Sequence, residues 1–171
     1  MGNIEKENLS RILEAFAYIA ERAPARKDNM YNVLKVFYLA DKLHMERYGR
    51  FIFNDNYSAM RKGPVPSIAY DLIKNIKSGQ KLPLECDAPV KVGPKYQVQP
   101  LRSADEDLFS GSDLLCIDEV IEHSKTVDLG EYSHDDAWSE TPLNRMIPVE
   151  SILCTLQHGD ALLDLHRNRH P

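Results

Sequence analysis

The sequence predicts an α+β chain, predominantly α-helical, folded as a single domain with a small antiparallel β-hairpin or sheet. Three observations predict it. Apolar residues recur at helical spacing through most of the 171 residues. Two short segments with extended character interrupt that pattern, one after Gly49 and one from Ala88 to Arg102. The 43% hydrophobic composition suffices for one core in a chain of this length and is short for two.

Leu9, Ile12, Leu13, Phe16, Ile19 and Ala20 follow the spacing of an amphipathic helix that ends before Pro24. The pattern predicts a second helix from an Asp28 cap to Tyr48, with Gly49 as its stop. At about 100° per residue, Met30, Leu34, Phe37, Tyr38, Met45 and Tyr48 form one apolar stripe, and Val36, Leu39 and Leu43 form another on the opposite side. A helix apolar on two faces is central and buried. RFIF and YSAM then flank the turn-forming NDN, which predicts a short hairpin or paired extended arms. In GPVPS, Pro64 and Pro66 argue against regular strand, and Pro66 with Ser67 leads into a third helix. That helix buries Ile68, Ala69, Leu72, Ile73 and Ile76, turns Tyr70 and Asp71 outward, and stops at Gly79. APVKVGPKYQVQPLR reads as a second hairpin about a Gly-Pro turn. Ser112 is the expected cap of a helix carrying Leu114, Ile117, Val120 and Ile121. A short helix from Asp128 to Ser133, a turn to Trp138, and a C-terminal helix from Pro148 to His166 complete the chain.

A net charge of −5 and a pI near 5.7 argue against a general binder of nucleic acid or of acidic membranes. Cys86, Cys116 and Cys154 match neither a disulfide framework nor a CxxC knuckle, so a reducing cytoplasm is the expected compartment. Charges stand where a signal peptide would be apolar, and no stretch approaches a membrane span. The Met-Gly start lacks the Ser or Thr of a myristoylation signal, having Lys6 instead.

Asp41 and His44 sit where the second helix calls for apolar residues, on a face shared with Tyr48. A carboxylate beside a histidine suits acid-base catalysis, but no nucleophile accompanies it. Two ligands at i and i+3 are too few for a structural zinc site, and no metal or other cofactor is expected. A buried carboxylate satisfied by backbone amides or by an arginine such as Arg50 is the favoured reading. Ser133, His134 and Asp135 are contiguous, which is not triad geometry; Ser133 and Asp136 instead have capping-box spacing, with Trp138 a packing anchor or interface residue. RKGPVPS lacks the glycines of a phosphate loop. It reads either as a plain connection or, beside Tyr70, as a rigid partner-binding edge.

Two segments resemble the signatures of the Panacea domain, the SocA-like antitoxin family. One is residues 34–74, with ADxxH, YGR and GPVPS followed by Tyr70 and Asp71; the other is residues 114–138, with Ser133-His134 and Trp138. The resemblance extends with its flanking helices to most of the chain, treated as one domain over residues 1–171. The matched positions are Asp41, His44, Tyr48, Gly49, Arg50, Tyr57, Gly63, Pro64, Val65, Pro66, Tyr70, Asp71, His134 and Trp138. Ser133 stands where threonine is usual, and Lys62 departs from the residue the family places before Gly-Pro. The resemblance implies a non-enzymatic cytoplasmic antitoxin of a bacterial, prophage-associated toxin–antitoxin module, binding a protein toxin encoded beside it. Alternatives are an adaptor that delivers the toxin to a protease, and a small metal-dependent hydrolase using Asp41, His44 and His134. The expected contact surface is Arg61, Lys62, Pro64, Val65, Tyr70, Asp71 and Trp138. Asp41, His44, Tyr48, Gly49, Arg50, Tyr57, Gly63, Pro66, Ser133 and His134 are expected to hold the fold. The acidic balance suits a basic partner surface. Neither membrane nor nucleic acid is an expected partner, and no heptad or apolar stripe sets an oligomeric state.

Overall fold

The helix predicted to be buried on two faces, α2 (Met30–Tyr48), lies at the centre of the computed structural model, which describes residues 1–171. Before it runs α1 (Asn3–Arg22); after it come β1 (Tyr57–Met60), β2 (Gly63–Pro66), α3 (Ser67–Ser78), β3 (Val90–Val92) and β4 (Val98–Pro100). A 3-10 turn at Glu106–Leu108 leads to α4 (Gly111–His123), α5 (Leu129–Tyr132), α6 (Asp136–Ser139), α7 (Val149–Cys154) and α8 (Gly159–Arg169). The chain is thus mostly helical α+β, with two antiparallel pairs, β1–β2 and β3–β4. None of the helices is long and apolar enough to cross a membrane.

One apolar cluster joins α1, α2, α3, α4, both strand pairs and α7. Its spine is aromatic: Phe16 packs on Phe37 with centroids 5.5 Å apart, and Phe37 on Phe53 at 4.3 Å. Full burial of each such ring contributes about 1.5–3 kcal/mol. At the far side of α1, the buried Glu14 carboxylate accepts from both Arg102 guanidinium nitrogens and from the Asp105 amide, so the chain leaving β4 is tied back to α1.

Several boundaries differ from expectation for identifiable reasons. Asn29, not Asp28, caps α2 by accepting from the Asn32 amide, because the Asp28 carbonyl is taken by the Val98 amide in an extension of the β4 edge. Ser110, not Ser112, caps α4, in a reciprocal box with Asp113. The C-terminal helix is two, α7 and α8, because the chain reverses at His158, which is left-handed, and Gly159 lies against the Leu153 carbonyl where a Cβ would sit at 2.6 Å. RFIF is not strand. The hairpin is YSAM with GPVP, closed by Arg61 and Lys62.

GPVP forms a strand despite its two prolines because of register. Pro66 faces Tyr57 and Pro64 faces Ala59. The Tyr57 and Ala59 backbone groups bond the other way, to the 144–147 segment: Ala59 N–H to Arg145 O, Asn144 N–H to Ala59 O, and Ile147 N–H to Tyr57 O. The prolines therefore occupy positions whose missing N–H would point away from β1, on an outer edge. β1 is left as the middle of three extended segments.

The start of α3 is capped from a distance. Pro66 supplies no side-chain acceptor, and Asp55 of the NDN turn accepts from the Ile68 amide at 2.9 Å and the Ala69 amide at 2.9 Å. Asp55→Ala is expected to cost about 1–3 kcal/mol in urea unfolding, with faster amide exchange at Ile68 and Ala69. Unchanged exchange there would show that the cap carries no stability.

Candidate functional site

The ADxxH…YGR segment and the Ser-His…Trp segment build two sets of contacts around α2, one holding the irregular chain after Gly49 and one holding the β1–β2 hairpin. In the first set, Asp41 is buried. Its Oδ1 accepts from the Ile52 amide at 2.6 Å and the Phe53 amide at 3.3 Å, and its Oδ2 accepts from the Tyr57 hydroxyl at 2.6 Å. Backbone amides satisfy it, as expected; Arg50 does not. Burial pushes the carboxyl up from 3.8 to about 7, against the pull of its three donors.

His44, also buried, lies 2.9 Å from the Arg50 carbonyl through Nδ1 and 2.9 Å from the Ser112 hydroxyl through Nε2. A carbonyl only accepts, so Nδ1 carries the proton and Nε2 accepts from Ser112. Burial lowers the imidazole pKa, which keeps the ring neutral, so its 3.3 Å approach to Asp113 is no ion pair. Asp113 instead accepts from Arg50 at 2.8 Å, and Arg50 also reaches the Ser110 hydroxyl. Gly49 makes the turn between these residues in the left-handed region, φ 74°. Tyr48 is half exposed and only flanks His44, 4.7 Å between rings, so it is not part of the buried stripe.

The other set is a clamp on the β1–β2 hairpin. Three alternate carbonyls each receive one side-chain donor: Met60 from the Trp138 indole at 2.8 Å, Lys62 from the Tyr31 hydroxyl at 3.4 Å, and Pro64 from the Lys35 ammonium at 2.8 Å. His134 stacks on Trp138 at 4.2 Å. Gly63, φ 112°, lies so close to Lys35 and His134 that a Cβ would meet Lys35 Nζ at 2.6 Å and the His134 ring at 3.0 Å. Asp135, not Ser133, caps α6 through the Trp138 amide, and its other oxygen accepts from Tyr38 and Lys42 at 2.7 Å each. Ser133 is buried and donates to the Gly130 carbonyl, closing α5.

The expected contact residues therefore divide. Arg61, Lys62 and Asp71 are exposed, and Val65 and Tyr70 are half-buried beside them. Pro64 is buried and Trp138 is engaged by Met60 and His134, so both serve the clamp. Asp41, His44 and His134 do not converge: each has its own partners, none shared. No three His, Cys, Asp or Glu side chains are grouped to hold a metal ion. Sequence reading passed over Lys35 and Tyr31, and weighed Asp135 only as a triad member. Lys35 and Tyr31 sit one helical turn apart on α2, and a lysine amid Val33, Leu34, Val36 and Phe37 was the available sign.

Two stability measurements follow. Asp41→Ala leaves two amides and a hydroxyl without an acceptor and is expected to cost about 3 kcal/mol or more. Between its unfolded and folded pKa values the folded chain retains a proton that the unfolded chain has lost, so Asp41 adds stability as pH falls from about 7 to about 4. The melting-temperature gap between wild type and Asp41→Asn is expected to widen on acidification through that window; a constant gap rejects the assignment. Lys35 behaves oppositely. Burial lowers its ammonium from 10.5 to about 8, so the unfolded chain binds the extra proton in that window and stability rises with pH. Wild type should gain on Lys35→Met as pH is raised from about 8 to about 10, and a flat difference would refute a buried ammonium.

The family model described as Antitoxin SocA-like, Panacea domain, matches residues 33–139, more than half of the chain. No curated protein and no solved structure matches it. The matched span contains the Asp41 and His44 contacts and, apart from Tyr31, the hairpin clamp, and this chain belongs to the SocA-like antitoxin family with a Panacea domain.

Proposed function

We propose that this chain is the antitoxin of a toxin–antitoxin pair and neutralises a protein toxin, encoded next to it, by binding it directly in the cytoplasm. The hairpin clamp is the observation that carries the reading. Three donors fix the hairpin backbone from behind while the side chains of Arg61 and Lys62 stay exposed at its tip. A loop already fixed in shape loses little entropy on docking, and Arg and Tyr are enriched at interfaces. The contact surface on this reading is Arg61, Lys62, Val65, Tyr70 and Asp71. The folding unit that presents it extends beyond residues 33–139, since Phe16 of α1 and Ile152 of α7 belong to the same core. Catalysis by Asp41, His44 and His134 has no shared geometry in its support.

The test is expression of the neighbouring open reading frame alone and then with this protein. The neighbour is expected to arrest growth alone, and co-expression to restore it. A harmless neighbour, or toxicity unaffected by co-expression, ends the antitoxin reading. Lys62→Glu with Tyr70→Ala is expected to abolish rescue while shifting the melting temperature by less than about 3 °C. Toxin abundance separates two routes: direct inhibition leaves it unchanged, whereas delivery to a protease lowers it.

A further inference from the structure

We propose that the groove between the hairpin tip and the β3–β4 turn is a docking site for an acidic peptide segment that carries an aromatic or aliphatic anchor residue. The groove has a volume of ≈ 570 Å³, in the range of specific binding pockets. Its apolar surface comes from Tyr31, Tyr70 and Tyr96, with Leu34, Met60 and Val65. Tyr96 is 56% exposed and Tyr31 37%, so their rings are available to a partner.

The charged side chains that line the groove have one sign. Arg61, Lys62 and Lys95 line the groove, Lys35 stands in its wall, and no aspartate or glutamate lines it. Arg61, Lys62 and Lys95 form no ion pair, and the buried Lys35 ammonium, with three N–H donors, has only the Pro64 carbonyl as acceptor. Just outside, Lys74 sits 4.3 Å from the Tyr70 ring and Lys77 4.8 Å from the Tyr96 ring. Outside the lining, Asp71 is paired with Lys74 at 3.2 Å, and the charges of Asp128 and Glu131 act on the Tyr31 hydroxyl. Unpaired cations around an apolar floor complement carboxylates flanking an apolar side chain. A nucleic-acid strand fits less well. The cations ring one pocket instead of tracking a backbone.

The segment's source as part of the toxin rests on the antitoxin reading; the groove's chemical preference does not. The full chain is panned against a displayed library of random peptides of about 12 residues, with Lys62→Glu/Lys95→Glu as the counter-selected variant and fluorescence anisotropy to measure retained peptides. Retained peptides are expected to carry Asp or Glu around a Phe, Trp, Leu or Ile, to weaken with salt, and to bind the variant at least about tenfold less well. No peptide retained above the variant, a neutral or basic consensus, or equal binding by the variant overturns the proposal. So does an oligothymidylate that binds more tightly than the retained peptides and displaces them. Both substituted side chains are exposed and unpaired, so an unchanged melt is expected; Lys62→Ala/Lys95→Ala replaces the variant should it misfold. In co-expression, a wild-type chain that fails to rescue defeats the antitoxin reading alone. Rescue by the charge-reversed variant as complete as by wild type defeats the groove as the toxin's contact.

Discussion

The buried Asp41 carboxylate is the interaction on which the middle of the structure depends. The segment leaving α2 has no regular hydrogen bonding of its own from Arg50 to Asn56, yet Ile52 and Phe53 are buried there. Buried amides without acceptors are costly, so a segment that inserts two large apolar side chains needs an acceptor brought to it. Asp41 provides one for both amides, and its second oxygen takes the hydroxyl of Tyr57, where β1 begins. Placement of Phe53 against Phe37 and alignment of β1 thus have a common origin. The desolvation of that carboxylate is the counterweight, and it raises the pKa of the group most committed to holding the fold.

The same device recurs along the chain. His44 holds the Arg50 carbonyl, Asp55 caps α3, Glu14 gathers Arg102 and the Asp105 amide, and Lys35 holds Pro64. Apart from His44, each joins a polar side chain to backbone distant in sequence. With strands of only three or four residues, ladders alone cannot satisfy the non-helical backbone. Side chains, most of them from the helices, take over that task, which explains why polar residues interrupt the apolar stripe of α2.

This also bounds what could be read in the sequence. Helices α1, α2 and α3 were legible because apolar spacing and a glycine or proline stop coincide, and Gly49 and Gly79 both adopt the left-handed conformation that such stops require. The β3–β4 hairpin was legible from alternation. GPVP was misread because proline's effect on a strand depends on which edge is paired, and that depends on residues 144–147, far along the chain. Asp28 and Ser112 were misplaced as caps by one and two residues for a similar reason: adjacent Asp, Asn and Ser are equally able to cap, and tertiary bonds choose among them. Asp41 and His44 were legible as anomalies on an apolar stripe, but their partners were not, since Ile52, Tyr57 and Ser112 are assigned only by folding.

Charge shows the limit most clearly. The total of −5 suggests a basic partner, but a total cannot describe where charges stand. Arg61 and Lys62 come from the hairpin tip, Lys95 and Tyr96 from the β3–β4 turn, and Tyr31 from the first turn of α2. Those stretches are separated by about 30 residues or more in sequence, so no basic run announces the groove. They meet because the β4 edge extends onto the chain before α2, with Met30 N–H bonded to the Tyr96 carbonyl, while Tyr31 holds the Lys62 carbonyl from the next position. One helix start therefore anchors both rims. A partner that senses this face encounters a local field opposite in sign to the molecule as a whole. At close range the near charges dominate, because physiological salt screens exposed charges farther away than about 8 Å.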